Sequence, residues 1–173
     1  MAGIPAVDPD RDHIRGDPVG RVTLVEYGDF QCPYCGDAYP VVRRLLESYD
    51  WLRFSFRHMP LLDLHPRSPA AAEAAEAAAA QGHFWEMHDR LFEHQHALGD
   101  EALREHAAGL GLDLERFDRE LRDRVHKARV DEDFASGAGG GIPSTPRFFV
   151  NGEIHLGSGN EPELRRVIEA EFG

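Results

Sequence analysis

The sequence predicts an α/β fold in which a βαβ unit, a block of helices and a ββα unit follow one another. Three observations predict it: a short apolar, β-branched run at residues 22–27, an alternating run at residues 51–58, and an Asn-Gly pair at Asn151. Two strands joined by one helix form a right-handed parallel unit, and Asn-Gly favours a two-residue hairpin turn. The 173 residues, 42% of them hydrophobic, suit one ordinary domain with an inserted subdomain.

The first half of the chain supplies the βαβ unit. Residues 1–20 are polar with three prolines and are interpreted as an N-terminal arm. The apolar run at residues 22–27 predicts a buried strand, and a helix is expected from the Cys32 region to about Tyr49. The second strand, at residues 51–58, is expected to place Leu52, Phe54 and Phe56 on one side.

Helices are expected throughout residues 64–136. Ser68 and Pro69 begin an Ala-rich helix that ends at Gly82, and apolar residues recur at helical spacing over residues 84–92. A third helix begins at Asp100. A fourth begins at Asp113, with an inward face formed by Leu114, Phe117, Leu121 and Val125.

The chain then returns to strands. The glycines at residues 137–141 are expected to form a flexible connector, followed by hairpin strands at residues 147–150 and 153–156 and a final helix capped by Asn160. The predicted division is an arm at 1–20, a sheet-forming domain at 21–63 and 137–173, and an inserted helical subdomain at 64–136.

Charge and hydropathy exclude several classes of partner. The net charge of −12 argues against nucleic acid and against an anionic membrane. The sequence shows neither an apolar run of about 18 residues nor a basic, apolar leader at its start. If residue 1 is the natural start, the protein is expected to be cytoplasmic.

The two cysteines, Cys32 and Cys35, are the candidate reactive centre. A Cys-x-x-Cys pair beside a βαβ unit indicates redox chemistry, whereas a zinc site would need two more ligands. At the start of a helix the Cys32 thiolate is stabilised by unpaired backbone N–H groups and by the helix dipole. Pro33 suits the first helical position. Cys32 is expected to be exposed, and Cys35, one turn on, to face inward and to resolve a mixed disulfide.

Glu26 is a further candidate because it interrupts an apolar strand six residues before Cys32. A buried carboxyl group near Cys35 would have a raised pKa. The alternatives are an outward-facing residue on a half-exposed strand and a purely structural hydrogen bond.

These residues together resemble the DsbA family of the thioredoxin superfamily. The resemblance rests on Cys32-Pro33-Tyr34-Cys35 opening a helix, on Thr145-Pro146 before the Asn-Gly hairpin, and on helices inserted between βαβ and ββα. It implies a thioredoxin fold with an all-helical insertion, and the sheet-forming domain is then the thioredoxin-like one. The Pro-Tyr dipeptide is similar to that of glutaredoxins.

The resemblance also implies roles for single residues. Glu26 resembles the buried acid that shuttles a proton to the inner cysteine. Thr145 and Pro146 resemble a cis-proline loop whose backbone pairs with an extended substrate segment, and Pro33 and Tyr34 complete the substrate-binding set. A peptide groove is expected between the thioredoxin part and the helical insertion.

The sequence therefore predicts a dithiol–disulfide oxidoreductase that acts on protein or peptide thiols and disulfides. No bound cofactor or metal is expected, since the cysteine pair is itself the redox centre. One alternative is a glutaredoxin-like or glutathione-transferase-like enzyme that uses glutathione. The other is a scaffold protein that holds an iron–sulfur cluster between two subunits. The direction of catalysis stays open.

Overall fold

The computed structural model describes residues 3–173. Its centre is a five-stranded mixed sheet in the order β1-β3-β2-β4-β5. Strands β2 and β3 are parallel, and every other neighbouring pair is antiparallel. The strands are β1 (His13–Gly16), β2 (Val22–Gly28), β3 (Leu52–His58), β4 (Arg147–Val150) and β5 (Glu153–Ile154).

The described chain also has seven helices. Five of them lie between β3 and β4 in the sequence, so the helical block expected there is an insertion between the two halves of the sheet. The helices are α1 (Pro33–Ser48), α2 (Ser68–Ala79), α3 (Phe84–Glu93), α4 (Asp100–Gly109), α5 (Leu114–Arg122), α6 (Lys127–Gly139) and α7 (Glu161–Phe172). Within residues 3–173, no helix is both long and apolar enough to cross a bilayer.

The two faces of the sheet bury different sets of side chains. On one face, Leu45 of α1 and Ile168 of α7 belong to the same core cluster as Leu24 and Phe54 of the strands. On the other face, a smaller cluster packs beneath the end of α6 and consists of Val25, Tyr27, Met59, Ile142 and Phe149. The period of two in β2 therefore sends alternate residues to two separate cores.

The fold class predicted from the sequence is confirmed, and the hairpin shows why. Asn151 and Gly152 both have positive φ, at 49° and 86°, as the turn between two tightly paired strands requires. Asn160 begins α7 as expected, because its side-chain oxygen accepts from the N–H of Glu163 at 3.0 Å.

The N-terminal arm expected at residues 1–20 contains a strand. Residues of β1 pair with β3 and form one edge of the sheet. Upstream of β1, the chain is held by the buried Arg57, whose guanidinium donates to the carbonyls of Pro5 at 2.9 Å and Ala6 at 3.1 Å and to Asp12 at 2.8 Å. The sequence did not reveal β1 because the strand has only four residues and only one of them, Ile14, is apolar.

Two expectations, one in the helical block and one directly after it, are wrong. Val125 is 57% exposed rather than inward, because α5 ends at Arg122 and the chain turns through Arg124 with a positive φ of 52°. The connector expected at residues 137–141 begins later than predicted, because α6 continues through Gly137 to Gly139. A Cβ at Gly137 would lie 2.9 Å from the Met59 sulfur and the Tyr27 ring, so glycine lets α6 pack closely on the sheet.

Candidate active site

The cysteine pair lies where β2 leads into α1. Cys32 is the N-cap residue of α1, Pro33 is its first residue, and Cys35 is in its first turn. Cys35 is fully buried, as expected. Cys32 is only 3% exposed, so the expectation of an exposed nucleophile is wrong. The carbonyl of Thr145 covers it, since the Cys32 thiol donates to that oxygen at 3.5 Å.

The surroundings of Cys32 favour its anion. The pKa of Cys32 is lowered to about 5, chiefly by a hydrogen bond from the Cys35 thiol. Burial opposes this shift, while Thr145 and the backbone N–H groups of Cys35 and Tyr34 add to it. The buried Thr145 hydroxyl has no hydrogen-bond partner among the described residues, which leaves it free to donate to a thiolate.

The surroundings of Cys35 favour the neutral thiol. Burial raises the pKa of Cys35 well above its ordinary value, and its hydrogen bond to Cys32 and the nearby Glu26 carboxyl raise it further. The backbone N–H of Asp29 donates to the Cys35 sulfur at 3.5 Å and acts in the opposite direction. The two sulfurs therefore have opposite acidities.

Glu26 is buried on β2, as expected, with 2% of its surface exposed. Burial raises its pKa to about 8, and the charge of Cys32 contributes to the shift. Its Oε1 has no hydrogen-bond partner in the described chain. Gly28 leaves room beside it, because a Cβ there would lie 3.1 Å from Oε1 and 2.4 Å from the Phe56 ring. A carboxyl group with this pKa can take up or release a proton near neutral pH.

The Thr145–Pro146 peptide bond is cis, as the resemblance implied. A groove of about 460 Å³ runs beside it, between the start of α1 and the segment before α7. Tyr34 lines this groove and is 71% exposed. Residues from both sides line the rest, among them Asp37, Val41, Gly159 and Asn160.

The groove does not lie where the sequence placed it. It was expected between the thioredoxin part and the helical insertion, but no described residue of the helical block, 64–136, lines it. The insertion has its own cavity of about 700 Å³, lined by residues such as Ala70, Leu103 and Phe117, and neither cysteine borders that cavity.

Sequence reasoning missed Asp29, which fixes the loop before Cys32. Asp29 is 1% exposed, and its carboxylate accepts from the N–H of Gln31 at 2.8 Å, from the N–H of Leu61 at 2.9 Å and from His65 at 2.9 Å. Its carbonyl also accepts from the N–H of Cys32 at 3.1 Å. An acidic residue directly after a buried strand was the signal that could have found it.

Across the described part of the chain, no group of three or more His, Cys, Asp or Glu side chains is arranged to hold a metal ion. The cysteine pair is the only pair of thiols in the sequence.

Comparison with known proteins identifies the family. The family model described as Thioredoxin matches residues 8–170. The chain belongs to the thioredoxin family. Among curated relatives, the NhaA 1 Na(+)/H(+) antiporter of Salinispora arenicola is 50% identical over 166 residues. That match covers 96% of this chain and 26% of the relative, so the chain spans about a quarter of the length of the curated relatives it matches.

Solved thioredoxin-fold structures superpose over almost the whole chain. A thioredoxin-like oxidoreductase from Silicibacter pomeroyi has a TM-score of 0.84 at 29% identity and covers 94% of this chain and 92% of its own. Oxidised BdbD from Bacillus subtilis gives 0.83 at 24% identity, with 99% and 97% covered. Wolbachia pipientis α-DsbA1 gives 0.81 at 22% identity, with 98% and 94% covered. These matches confirm the DsbA-like fold, and the predicted enzyme class agrees with them.

Proposed function

We propose that this thioredoxin-family chain exchanges disulfides with protein or peptide substrates through Cys32 and Cys35. One observation carries the proposal: two cysteines in a single helical turn have opposite acidities, with the Cys32 pKa lowered to about 5 and the Cys35 pKa raised. Thiol–disulfide exchange needs a thiolate to attack and a second thiol held in reserve.

In the first step the Cys32 thiolate attacks one sulfur of a substrate disulfide. The substrate S–S bond breaks, a new S–S bond joins Cys32 to the substrate, and the other substrate sulfur leaves as a thiolate. Because the pKa of Cys32 lies well below neutrality, the attacking anion is present without a separate base.

In the second step Cys35 resolves the mixed disulfide. Its thiol proton passes to the Glu26 carboxylate, the Cys35 sulfur attacks Cys32, and the substrate leaves as a second thiolate. The substrate disulfide is thereby reduced by two electrons and the Cys32–Cys35 pair is oxidised. The same steps run in reverse oxidise a substrate dithiol, and the compartment's redox poise sets the direction.

The groove beside Tyr34 and Pro146 is the proposed substrate site. A substrate cysteine joined to Cys32 comes next to the backbone of Thr145, because that carbonyl is already within reach of the Cys32 sulfur. An extended segment can then hydrogen-bond along Thr145 while its flanking side chain enters the groove over Pro33 and Tyr34.

The alternatives differ in what they require of the site. An iron–sulfur cluster held by both cysteines of each of two subunits needs all four sulfurs at the interface, and the full burial of Cys35 disfavours this arrangement. Glutathione as the substrate and a cytoplasmic location both stay predictions. The antiporter name belongs to relatives about four times as long, and the present proposal concerns the thioredoxin-like segment alone.

The test is turnover of a peptide disulfide and, separately, of glutathione disulfide, with the wild type and two variants. Cys32→Ser should lower turnover about a thousandfold or more, and Cys35→Ser should accumulate a mixed disulfide visible by mass spectrometry. Faster turnover of glutathione disulfide than of the peptide would favour the glutaredoxin-like alternative. Wild-type turnover by Cys32→Ser would refute the proposal.

A further inference from the structure

Gln95 reaches the catalytic loop from the helical insertion. It lies in the turn between α3 and α4, and its side-chain amide nitrogen donates to the carbonyls of Phe30 and Cys32, each at 2.9 Å. The two amide hydrogens are therefore both used, one on each side of residue 31. The Cys32 carbonyl also accepts the first helical bond of α1, from the N–H of Gly36 at 3.1 Å.

Gly36 makes space for this contact. A Cβ at Gly36 would lie 2.2 Å from Oε1 of Gln95 and 2.8 Å from its Cδ. Both distances are too short for a Cβ contact, so any larger residue at position 36 would displace the Gln95 amide. Glycine in the first turns of a helix costs about 1 kcal/mol relative to alanine. Helix propensity alone would favour alanine at position 36, but glycine there leaves space for the Gln95 amide.

Other contacts from the insertion hold the same loop. Gln31 accepts from the N–H of Arg67 at 2.7 Å, and Asp29 accepts from His65 at 2.9 Å. Gln95 differs from them because it binds the carbonyl of Cys32 itself. The backbone N–H groups that stabilise the Cys32 thiolate belong to Tyr34 and Cys35, in the turn that starts at this carbonyl.

We propose that Gln95 is a positioning residue for Cys32, through which the helical insertion holds the nucleophile in line with the first N–H groups of α1. The inference rests on the proposed role of Cys32 as the nucleophile. Gln95 itself touches neither sulfur. Loss of its two donors lets the Phe30–Cys32 segment shift, and the thiolate then loses part of its hydrogen bonding.

The test is the pH profile of Cys32, read from thiolate absorbance in the ultraviolet and from iodoacetamide alkylation mapped by mass spectrometry. Gln95→Met keeps the length and volume of the side chain and removes both donors. We expect the Cys32 pKa to rise by about one unit, so that the thiolate fraction near pH 5 falls about fivefold, while the fully ionised protein near pH 8 is unchanged.

Gly36→Ala perturbs the same contact without touching Gln95. The added Cβ displaces the amide, so the Cys32 pKa should rise as in Gln95→Met even though alanine favours the helix. The matched control is Gly139→Ala in α6, where a Cβ meets nothing within 4 Å and the profile should not move. This variant pair keeps the proposal testable if Gln95→Met fails to fold.

An unchanged Cys32 profile in folded Gln95→Met or in Gly36→Ala would overturn the proposal, whatever the loss of thermal stability. Because the readout is ionisation of one thiol and not turnover, it separates the two hypotheses. If the wild type showed no exchange activity but the variants still showed the shift in the Cys32 pKa, the proposed function would be refuted and the positioning role of Gln95 would stand.

Discussion

The two ends of the Cys-Pro-Tyr-Cys turn provide opposite environments for the same chemical group. At Cys32 the sulfur meets donors: the Cys35 thiol, Thr145 and the N–H groups of Tyr34 and Cys35, and its pKa falls to about 5. At Cys35 the sulfur meets an apolar interior and the Glu26 carboxyl, and its pKa rises. Neither sulfur is freely exposed, and the difference arises because hydrogen bonds outweigh burial at Cys32, whereas burial dominates at Cys35.

This comparison shows that position on the helix accounts for the two environments. The N-terminal end of α1 offers N–H groups without helical partners, and only Cys32, as the N-cap residue, can use them. Cys35 lies one turn further and is fully buried. Changes that alter one environment alone should therefore affect one step of exchange alone.

Among changes to residues that surround the two cysteines, removal of the acid on the Cys35 side should have the largest effect. Glu26→Gln abolishes the proton acceptor, so resolution of a mixed disulfide should slow about a hundredfold while the first attack by Cys32 is unchanged. Rapid-quench measurement of both steps between about pH 6 and 9 checks this. Equal resolution rates in variant and wild type would reduce Glu26 to a structural residue.

Glu26→Gln should also change how the free energy of unfolding of the reduced protein depends on pH. The folded pKa of Glu26, about 8, lies above its unfolded value of 4.5, so the folded state binds more protons between these values and stability falls as pH rises through that window. Glu26→Gln should match the wild type below about pH 4 and exceed it by about 2–4 kcal/mol near pH 8. Urea unfolding at both pH values measures the difference, and a constant offset would contradict the assigned pKa.

The sequence predicted the parts of this site that depend on residues close together in the chain and missed those that depend on residues far apart. The strand–helix junction at Cys32, the burial of Glu26 and the turn at Asn151 follow from local pattern and were predicted. The contact from Gln95 joins residues more than 60 positions apart, and local periodicity carries no information about it. The closure of Thr145 over Cys32 is likewise a product of tertiary packing, which is why the nucleophile was wrongly expected to be exposed.

A smaller effect is expected from a charge on the Cys32 side. Tyr34 is exposed and carries no charge, so the reduction potential is expected near that of glutaredoxins, about −200 to −230 mV, rather than the −120 mV of DsbA. A protonated histidine in its place would stabilise the Cys32 thiolate and hence the reduced form. Tyr34→His should raise the potential by about 30 mV, or tenfold in the exchange equilibrium. Equilibration with glutathione buffers measures it, and a wild-type value above about −150 mV would contradict the argument.

The smallest effect is expected at Thr145. Thr145→Val keeps the branched shape and removes the hydroxyl that is free to donate to the thiolate. The Cys32 pKa should rise by about half a unit, with no change in the rate of resolution by Cys35. Thiolate absorbance against pH detects the shift. If the rate of resolution by Cys35 changed while the Cys32 pKa did not, Thr145 would act on Cys35 and not on Cys32, which would contradict this prediction.

The central claim, that the two cysteines have divided roles, is tested most directly by alkylating the reduced wild-type protein with iodoacetamide across a range of pH and assigning each adduct by mass spectrometry. The account predicts that Cys32 reacts first, with a midpoint near pH 5, and that Cys35 stays unmodified until well above its ordinary pKa of 9.0. Faster modification of Cys35 than of Cys32, or a Cys32 midpoint near 9.0, would contradict it.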